Sequence, residues 1–136
     1  MMESLVNYSL ITNEVSIVNH KLSNGNFTAA PKIRQSINKI DDNRTAVTYE
    51  LKISNTKKNP FPIDLKVSMT GVFDVSKLEP DKVDDFIKVQ TCQIVFPQIR
   101  VIVASLTASA LMPPLLIPII DARKVFGNTK TQDDSK

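Results

Sequence analysis

The sequence has few of the residues on which most catalytic and metal sites depend. It holds three glycines, too widely spaced for a dinucleotide-binding fingerprint or a phosphate-binding loop. A single histidine, His20, and a single cysteine, Cys92, exclude a structural zinc cluster and an internal disulfide. The 136 residues are enough for one domain with one hydrophobic core. We therefore expect a single-domain protein that binds other molecules and is not an enzyme.

The residues that remain candidates for chemistry each have an ordinary structural explanation. His20 ends the predicted first strand with no nucleophile at a fixed spacing, which is typical of a surface histidine. Cys92 lies in a predicted helix and is typical of a small buried residue. Asp81, Asp84 and Asp85 fall in a first helical turn, where carboxylates interact favourably with the helix dipole. No catalytic residue, metal or cofactor is predicted.

Charge and hydropathy exclude two further classes of partner. Seventeen basic and fourteen acidic residues give a net charge of +3, which is too diffuse to predict nucleic-acid binding. The uncharged run from Val101 to Ile120 is long enough to cross a bilayer, but Pro113, Pro114 and Pro118 interrupt it. The first residues contain no basic cluster, so no cleavable signal is predicted. We expect a cytoplasmic protein that does not insert into a membrane.

In the first half of the chain, apolar and polar residues alternate with a period of two, which is typical of strands with one buried face. The alternation is clearest over 47–54 and 65–75, and is less regular over roughly 5–18 and 28–40. A short polar connection with two prolines, 57–62, predicts a hairpin turn between the two clearest strands. Short connections between the four strands predict an antiparallel sheet.

After Val75 the apolar period becomes helical, with Pro80 at the helix start. Pro97 predicts either the first turn of a new helix or a kink in one long helix. A stripe of small residues follows on this second segment, formed by Ala104, Ser105, Ala108 and Ser109. Because the chain has no other substantial helix to pack there, the stripe predicts a subunit interface. The predicted fold class is α+β, a four-stranded antiparallel sheet packed by a long broken helix.

The segment 112–120 combines apolar residues with prolines, which exclude both a helix and a central strand. Such a segment is usually covered or available to a partner. The segment 121–126 predicts a short final helical turn, and 127–136 is predicted to be a disordered polar tail. The single domain is therefore expected to span 1–126.

Three blocks of the second half carry a family resemblance. They read Thr-Gly-Val-Phe-Asp-Val at 70–75, Cys-Gln-Ile-Val-Phe-Pro-Gln-Ile-Arg at 92–100, and Met-Pro-Pro-Leu-Leu-Ile-Pro-Ile-Ile-Asp at 112–121. Through them the chain resembles the SecB family of protein-export chaperones. The resemblance implies a homotetramer, a dimer of dimers, that holds unfolded client proteins in apolar grooves without ATP. It implies a client-binding groove formed by Leu115, Leu116, Ile117 and Ile119, with Phe73, Ile33 and Ile37.

Two features depart from the family pattern and bear on the partner. Export members dock the translocase motor through an acidic sheet surface, whereas the exposed sheet faces here carry Lys32, Arg34, Lys52 and Lys66. The final helix is also short. Related solitary members protect an antitoxin, a role that needs a groove but no acidic docking face. The expected partners are unfolded clients, with the export motor or an antitoxin. The alternative is a structural or adaptor protein that uses the same apolar surface for one fixed partner.

Overall fold

The computed structural model describes residues 6–20, 29–110, 112, 115, 117 and 120–127. The strands are β1 (Asn7–Asn19), β2 (Lys32–Lys39), β3 (Arg44–Ile53) and β4 (Ile63–Asp74), and the helices are α1 (Pro80–Asp85), α2 (Thr91–Ser109) and α3 (Ala122–Phe126). A π-helical turn, Phe86–Gln90, joins α1 to α2, so that Pro80–Ser109 forms one helix of 30 residues, the long helix. The predicted α+β fold class is confirmed. The predicted tail lies almost entirely outside the described residues.

The four strands form one antiparallel sheet in the order β1-β4-β3-β2. The strands β2 and β3, and β3 and β4, are neighbours, as the short connections between them predict. In contrast, β1 pairs with β4 and lies at the opposite edge of the sheet from β2. The register of β1 shifts between Thr12 and Glu14, and the extra residue Asn13 donates a hydrogen bond to Thr70 Oγ1 at 2.7 Å. Among the described strands, β1 and β2 therefore form the two edges of the sheet.

The long helix packs against one face of the sheet and forms the core with it. Every second residue of the two central strands faces the helix and is buried: Val47, Tyr49, Leu51 and Ile53 in β3, and Ile63, Leu65, Val67, Met69 and Phe73 in β4. The helix contributes Phe86, Val89, Cys92, Val95, Phe96, Ile99 and Val103. Because side chains alternate along a strand, the intervening residues point to the opposite side, called the outer face below.

The long helix begins at Pro80 as predicted, but no new helix begins at Pro97, which lies inside α2. Among the described helices, the long helix is long and apolar enough to cross a bilayer when judged by length and composition only. A helix that forms the core of a folded domain passes the same test, and this one packs against the sheet.

A chain of hydrogen bonds connects β2 to the π-helical turn. Gln35 Nε2 donates to the Lys88 carbonyl at 2.9 Å and to the hydroxyl of Tyr49 at 2.8 Å. The Tyr49 hydroxyl lies 2.7 Å from Thr91 Oγ1, which donates to the Ile87 carbonyl at 2.6 Å. Burial raises the pKa of Tyr49, so the phenol stays protonated. The chain of hydrogen bonds therefore ties the edge strand β2 to the helix through the buried Tyr49.

Candidate functional site

The segment that follows α2, described at residues 112, 115, 117 and 120–127, is attached to α2 by three hydrogen bonds. The Met112 N–H donates to the Thr107 carbonyl at 3.0 Å, and the Leu115 N–H donates to Thr107 Oγ1 at 2.8 Å. Further along, Arg100 Nε donates to the Ile117 carbonyl at 2.7 Å. The described residues of this segment are thus positioned by Thr107 and Arg100 of the helix.

Neither of the helix residues that make these hydrogen bonds, Thr107 and Arg100, was predicted as a site residue. Thr107 is fully buried, and its hydroxyl also donates to the Val103 carbonyl at 3.0 Å. It follows Ile99 and Val103 at intervals of four residues on the buried side of α2, so a polar residue in an apolar stripe was the available signal. Arg100 gave no such signal, because its partner is a backbone carbonyl of the irregular segment.

The end of this segment is attached by α3, where the predicted final helical turn is confirmed. Asp121 caps the helix by accepting hydrogen bonds from the N–H groups of Arg123 and Lys124 at 3.1 and 3.3 Å. Arg123 Nη1 lies 2.7 Å from Asp85 Oδ1 of α1, and this hydrogen bond lowers the pKa of Asp85. The segment is therefore held at both ends against the long helix.

Between α2 and this segment lies a half-open cavity of about 270 Å³. It is lined by Cys92, Gln93, Phe96, Pro97, Arg100, Ile120 and Ala122. The apolar members form most of the wall, whereas Gln93 and Arg100 supply polar groups. Burial raises the pKa of the Cys92 thiol to about 11, so it stays neutral and unreactive near pH 7. Since an apolar cavity of about 150 Å³ holds benzene, this one has room for one large apolar side chain.

Apart from the cavity, an open groove of about 500 Å³ lies between the end of β2 and the start of the long helix, and it is called the second groove below. Its apolar residues are Ile37, Val75, Leu78, Pro80, Val83 and Ile87, and Lys39, Asp42, Asn43, Thr45 and Ser76 complete its lining. Ile37, a predicted client-binding residue, is 44% exposed here. Edge strand β2 therefore presents one predicted site residue to an open apolar surface.

The remaining predicted groove residues differ in accessibility. Ile33 and Leu115 are partly buried, whereas Leu116 and Ile119 lie outside the described residues. Phe73 has no exposed surface, and its ring centroid lies 5.8 Å from that of Phe86 beneath the helix. Ile117 is also buried, at 2% exposure. In this chain, Phe73 and Ile117 belong to the buried core, and their contact with a client stays a prediction.

The small-residue stripe lies on the side of α2 that faces away from the sheet. Ser105, Ala108 and Ser109 are exposed and Ala104 is partly buried. Val101, on the same helix, is 64% exposed. This leaves an uncovered helix surface at the predicted subunit interface, and the interface itself stays a prediction.

The other sequence predictions concern Cys92, His20 and metal binding. Cys92 is buried as predicted, at 1% exposure. His20 is part-exposed at the end of β1, and its Nε2 lies 2.9 Å from Asp64 Oδ2. Among the described residues, no group of three or more His, Cys, Asp or Glu side chains is arranged to hold a metal ion. The cavity and the second groove are the apolar candidates for client binding.

Known proteins resemble the chain in sequence over most of its length. An uncharacterized protein of Methanocaldococcus jannaschii is 32% identical over 81 residues, which cover 57% of this chain and 52% of that protein. The protein-export protein SecB of Xanthomonas campestris is 25% identical over 100 residues, which cover 74% of this chain and 59% of that protein. The chain thus spans just over half the length of these two relatives.

The fold is similar to that of a SecB-like chaperone of Mycobacterium tuberculosis, solved in complex with a ChAD peptide from the HigA1 antitoxin. The TM-score is 0.67 at 14% sequence identity, over 85% of this chain and 90% of that chain. The family model described as preprotein translocase subunit SecB matches residues 14–133. Because this match covers most of the sequence, the chain belongs to the SecB family.

Proposed function

We propose that the chain is an ATP-independent molecular chaperone of the cytoplasm that holds unfolded or non-native polypeptides in an apolar groove. The observation that carries the proposal is the half-open cavity between α2 and the segment that Arg100 and Thr107 attach to it. A cavity of this size takes one apolar side chain of a client, and its few polar groups leave the choice of sequence broad. Holding a client in this way requires no catalytic residue and no cofactor.

The apolar groove is proposed to continue over the segment and to edge strand β2. Leu115, Leu116, Ile117 and Ile119 belong to the segment, and Ile33 and Ile37 belong to β2. Of these, Ile37 has the clearest accessibility, since it lines the second groove. Phe73 and Ile117 are buried, so we propose that they hold the groove walls in place and contact clients only if a client displaces the covering side chains.

One cavity alone would bind a client only weakly, and this supports an assembly that contains several copies of the cavity. Burial of one large apolar side chain contributes about 1.5–3 kcal/mol, which is too little to hold a client alone. Several linked cavities raise the overall affinity, because each further contact is intramolecular. We propose a homotetramer, a dimer of dimers.

Two uncovered surfaces are compatible with this assembly. Edge strand β1 exposes Tyr8 by 49%, Ile11 by 61% and Val18 by 53%, so apolar side chains are open on both of its faces. The stripe Ala104, Ser105, Ala108 and Ser109 offers a second contact along α2. Light scattering should give four times the chain mass of 15.2 kDa, and a monomer at micromolar concentration would contradict the assembly.

The client class is proposed from the relatives. The structural neighbour of Mycobacterium tuberculosis was solved with an antitoxin peptide, which supports disordered antitoxin segments as clients. The matched Xanthomonas relative is a protein-export protein, which supports unfolded exported proteins. The chain is therefore proposed to serve protein export or antitoxin protection, with the export motor or an antitoxin as a further partner.

Suppression of aggregation tests the chaperone activity. A chemically unfolded protein diluted into buffer without nucleotide should stay in solution at a stoichiometric ratio of the chain. Gln93 is exposed on the rim of the cavity, so Gln93→Trp should obstruct the cavity without disturbing the core. Gln93→Ala is the matched control, since it removes the same amide but leaves the entrance open.

We expect Gln93→Trp to lose suppression and Gln93→Ala to keep it, with unchanged circular dichroism in both. A folded wild-type sample without suppression would contradict the chaperone proposal. Equal activity of both variants would place client binding outside this cavity. In a lysate, capture of many unrelated proteins favours the chaperone, whereas one stoichiometric folded partner favours the structural or adaptor alternative.

A further inference from the structure

The outer face of the sheet carries three lysines in cross-strand register. Lys32 of β2 is the partner of Lys52 of β3, and Lys52 is the partner of Lys66 of β4. Like charges directly opposite each other on a sheet are destabilising, so this row does not stabilise the fold. A row that opposes stability in this way is a candidate for binding.

The row is neutralised at one end. Lys66 Nζ lies 3.1 Å from Glu14 Oε1 and 3.6 Å from Glu50 Oε2. The hydrogen bond from Lys66 to Glu14, together with the charges of both carboxylates, raises the pKa of Lys66. The lysine on the β4 side is therefore paired within the chain, and it engages Glu50 as well.

The other end of the row is not neutralised in this way. Within the described part of the chain, no carboxylate oxygen lies within 4.0 Å of the charged nitrogens of Lys32, Arg34 or Lys52. The pKa of Asp64 is lowered mainly by the hydrogen bond from the Asn55 N–H at 2.7 Å, and the charge of Lys52 contributes least to this shift. We call Lys32, Arg34 and Lys52 the cationic corner.

The cationic corner surrounds a surface depression of about 570 Å³, whose lining is completed by Ile33, Glu50 and Ser54. All three basic side chains are exposed. Lys32 and Arg34 are two residues apart on β2, which separates their Cα atoms by about 6.8 Å. An extended peptide repeats at the same distance, so acidic residues at alternate positions would face both cations while Lys52 flanks them from β3.

We propose that the cationic corner docks an extended acidic segment of another protein, with Asp or Glu at alternate positions. The basic side chains of the corner lie on the outer face, opposite the face that carries the helix and the cavity, so the acidic segment and a client share only Ile33, which borders the depression. Exposed ion pairs contribute little each and are screened by salt, so the complex should be weak and salt-dependent. The proposal goes beyond the chaperone activity, because it assigns a separate partner to a separate surface.

A fluorescein-labelled dodecapeptide of alternating glutamate and serine provides the probe, with fluorescence anisotropy as the readout. The test variant carries Lys32→Glu and Lys52→Glu. The matched control carries Lys57→Glu and Lys58→Glu, two exposed lysines of the β3–β4 connection, and has the same net charge as the test variant. We expect affinity to fall by about tenfold or more in the test variant and by less than about twofold in the control. Binding of wild type should disappear at about 1 M salt.

Three results would overturn the proposal. They are an absence of binding to wild type at low salt, an equal loss in the two double variants, and tighter competition by a single-stranded oligonucleotide of equal charge, which would indicate a nucleic-acid surface. Aggregation suppression by the Lys32→Glu and Lys52→Glu variant should equal that of wild type. A loss of suppression in this variant would assign these lysines to client binding. If wild type itself fails to suppress aggregation, the chaperone proposal fails, but the proposal of peptide docking is still tested by the anisotropy measurement.

Discussion

Replacing Thr107 with valine should release the segment after α2 at Leu115 while the long helix stays intact. The Thr107 hydroxyl is buried, donates to the Val103 carbonyl and accepts from the Leu115 N–H at 2.8 Å. Valine has nearly the same shape but no hydroxyl, so it removes these hydrogen bonds without leaving a large void. The change therefore tests one anchor of the proposed groove.

The expected cost follows from the Leu115 amide. An amide that keeps its buried position without an acceptor costs about 1–3 kcal/mol. In a domain of this size, each kcal/mol lowers the melting temperature by roughly 3–5 °C, so a decrease of roughly 3–15 °C is expected. If the segment detaches at Leu115, water can replace the lost acceptor. The decrease in melting temperature is then at the lower end of this range, and the structural change is confined to the segment.

Thr107→Ser is the matched control, because it keeps the hydroxyl and loses one methyl group. That loss costs about 1 kcal/mol, so melting temperature alone does not separate the two variants. Amide hydrogen exchange at Leu115 separates them: it should accelerate in Thr107→Val and stay slow in Thr107→Ser. Wild-type protection of Leu115 in the valine variant would refute the assignment of Thr107 as an anchor.

Three further substitutions test the core and the attachment of α3. In Gly71→Ala, the new Cβ would meet the buried Phe73 ring at 2.5 Å, so we expect a loss of about 1–3 kcal/mol in urea denaturation; an unchanged midpoint would show that the ring moves aside easily. Tyr49→Phe removes the hydroxyl at the centre of the helix–β2 connection, and the same assay should give a loss of about 1–2 kcal/mol, whereas none would mean that water replaces the phenol. Arg123 lowers the pKa of Asp85, so their contact contributes above the unfolded pKa of about 3.9 and is lost as pH falls below it. Asp85→Asn should therefore flatten the decrease of melting temperature between neutral and acidic pH, and an unaltered profile would count against this contact.

Most of the fold is readable from local patterns, and the exceptions have a physical cause. The strands β3 and β4 alternate cleanly because one face of each packs under the helix. Strand β1 alternates poorly because apolar residues such as Ile11 and Val18 on its outer face are exposed as well. Its pairing with β4 depends on contacts more than 40 residues apart in sequence, which no local pattern contains. Pro97 does not end the helix, because tertiary packing outweighs the loss of one backbone donor.

The candidate site is less readable from the sequence than the fold. The apolar, proline-rich segment is recognisable, but the cavity depends on Ile120 and Ala122 lying against α2, which no local pattern predicts. Phe73 illustrates the limit, since its place in a family-like block suggests a groove residue while its register opposite Thr45 and Tyr8 places it in the core. Arg100 was not predicted as a site residue, yet it holds the segment in place. Nothing in its local sequence identifies the Ile117 carbonyl as its partner.

The half-open cavity and the cationic corner each carry a cost for the stability of the fold. The cavity has mostly apolar walls that are open to water, and apolar surface left in water forgoes the free energy of burial. The opposed pair Lys32 and Lys52 costs stability by repulsion, and replacing one member with an acid would relieve it. Since natural sequences tend to keep such costs where activity needs them, both surfaces are better explained by partners than by folding.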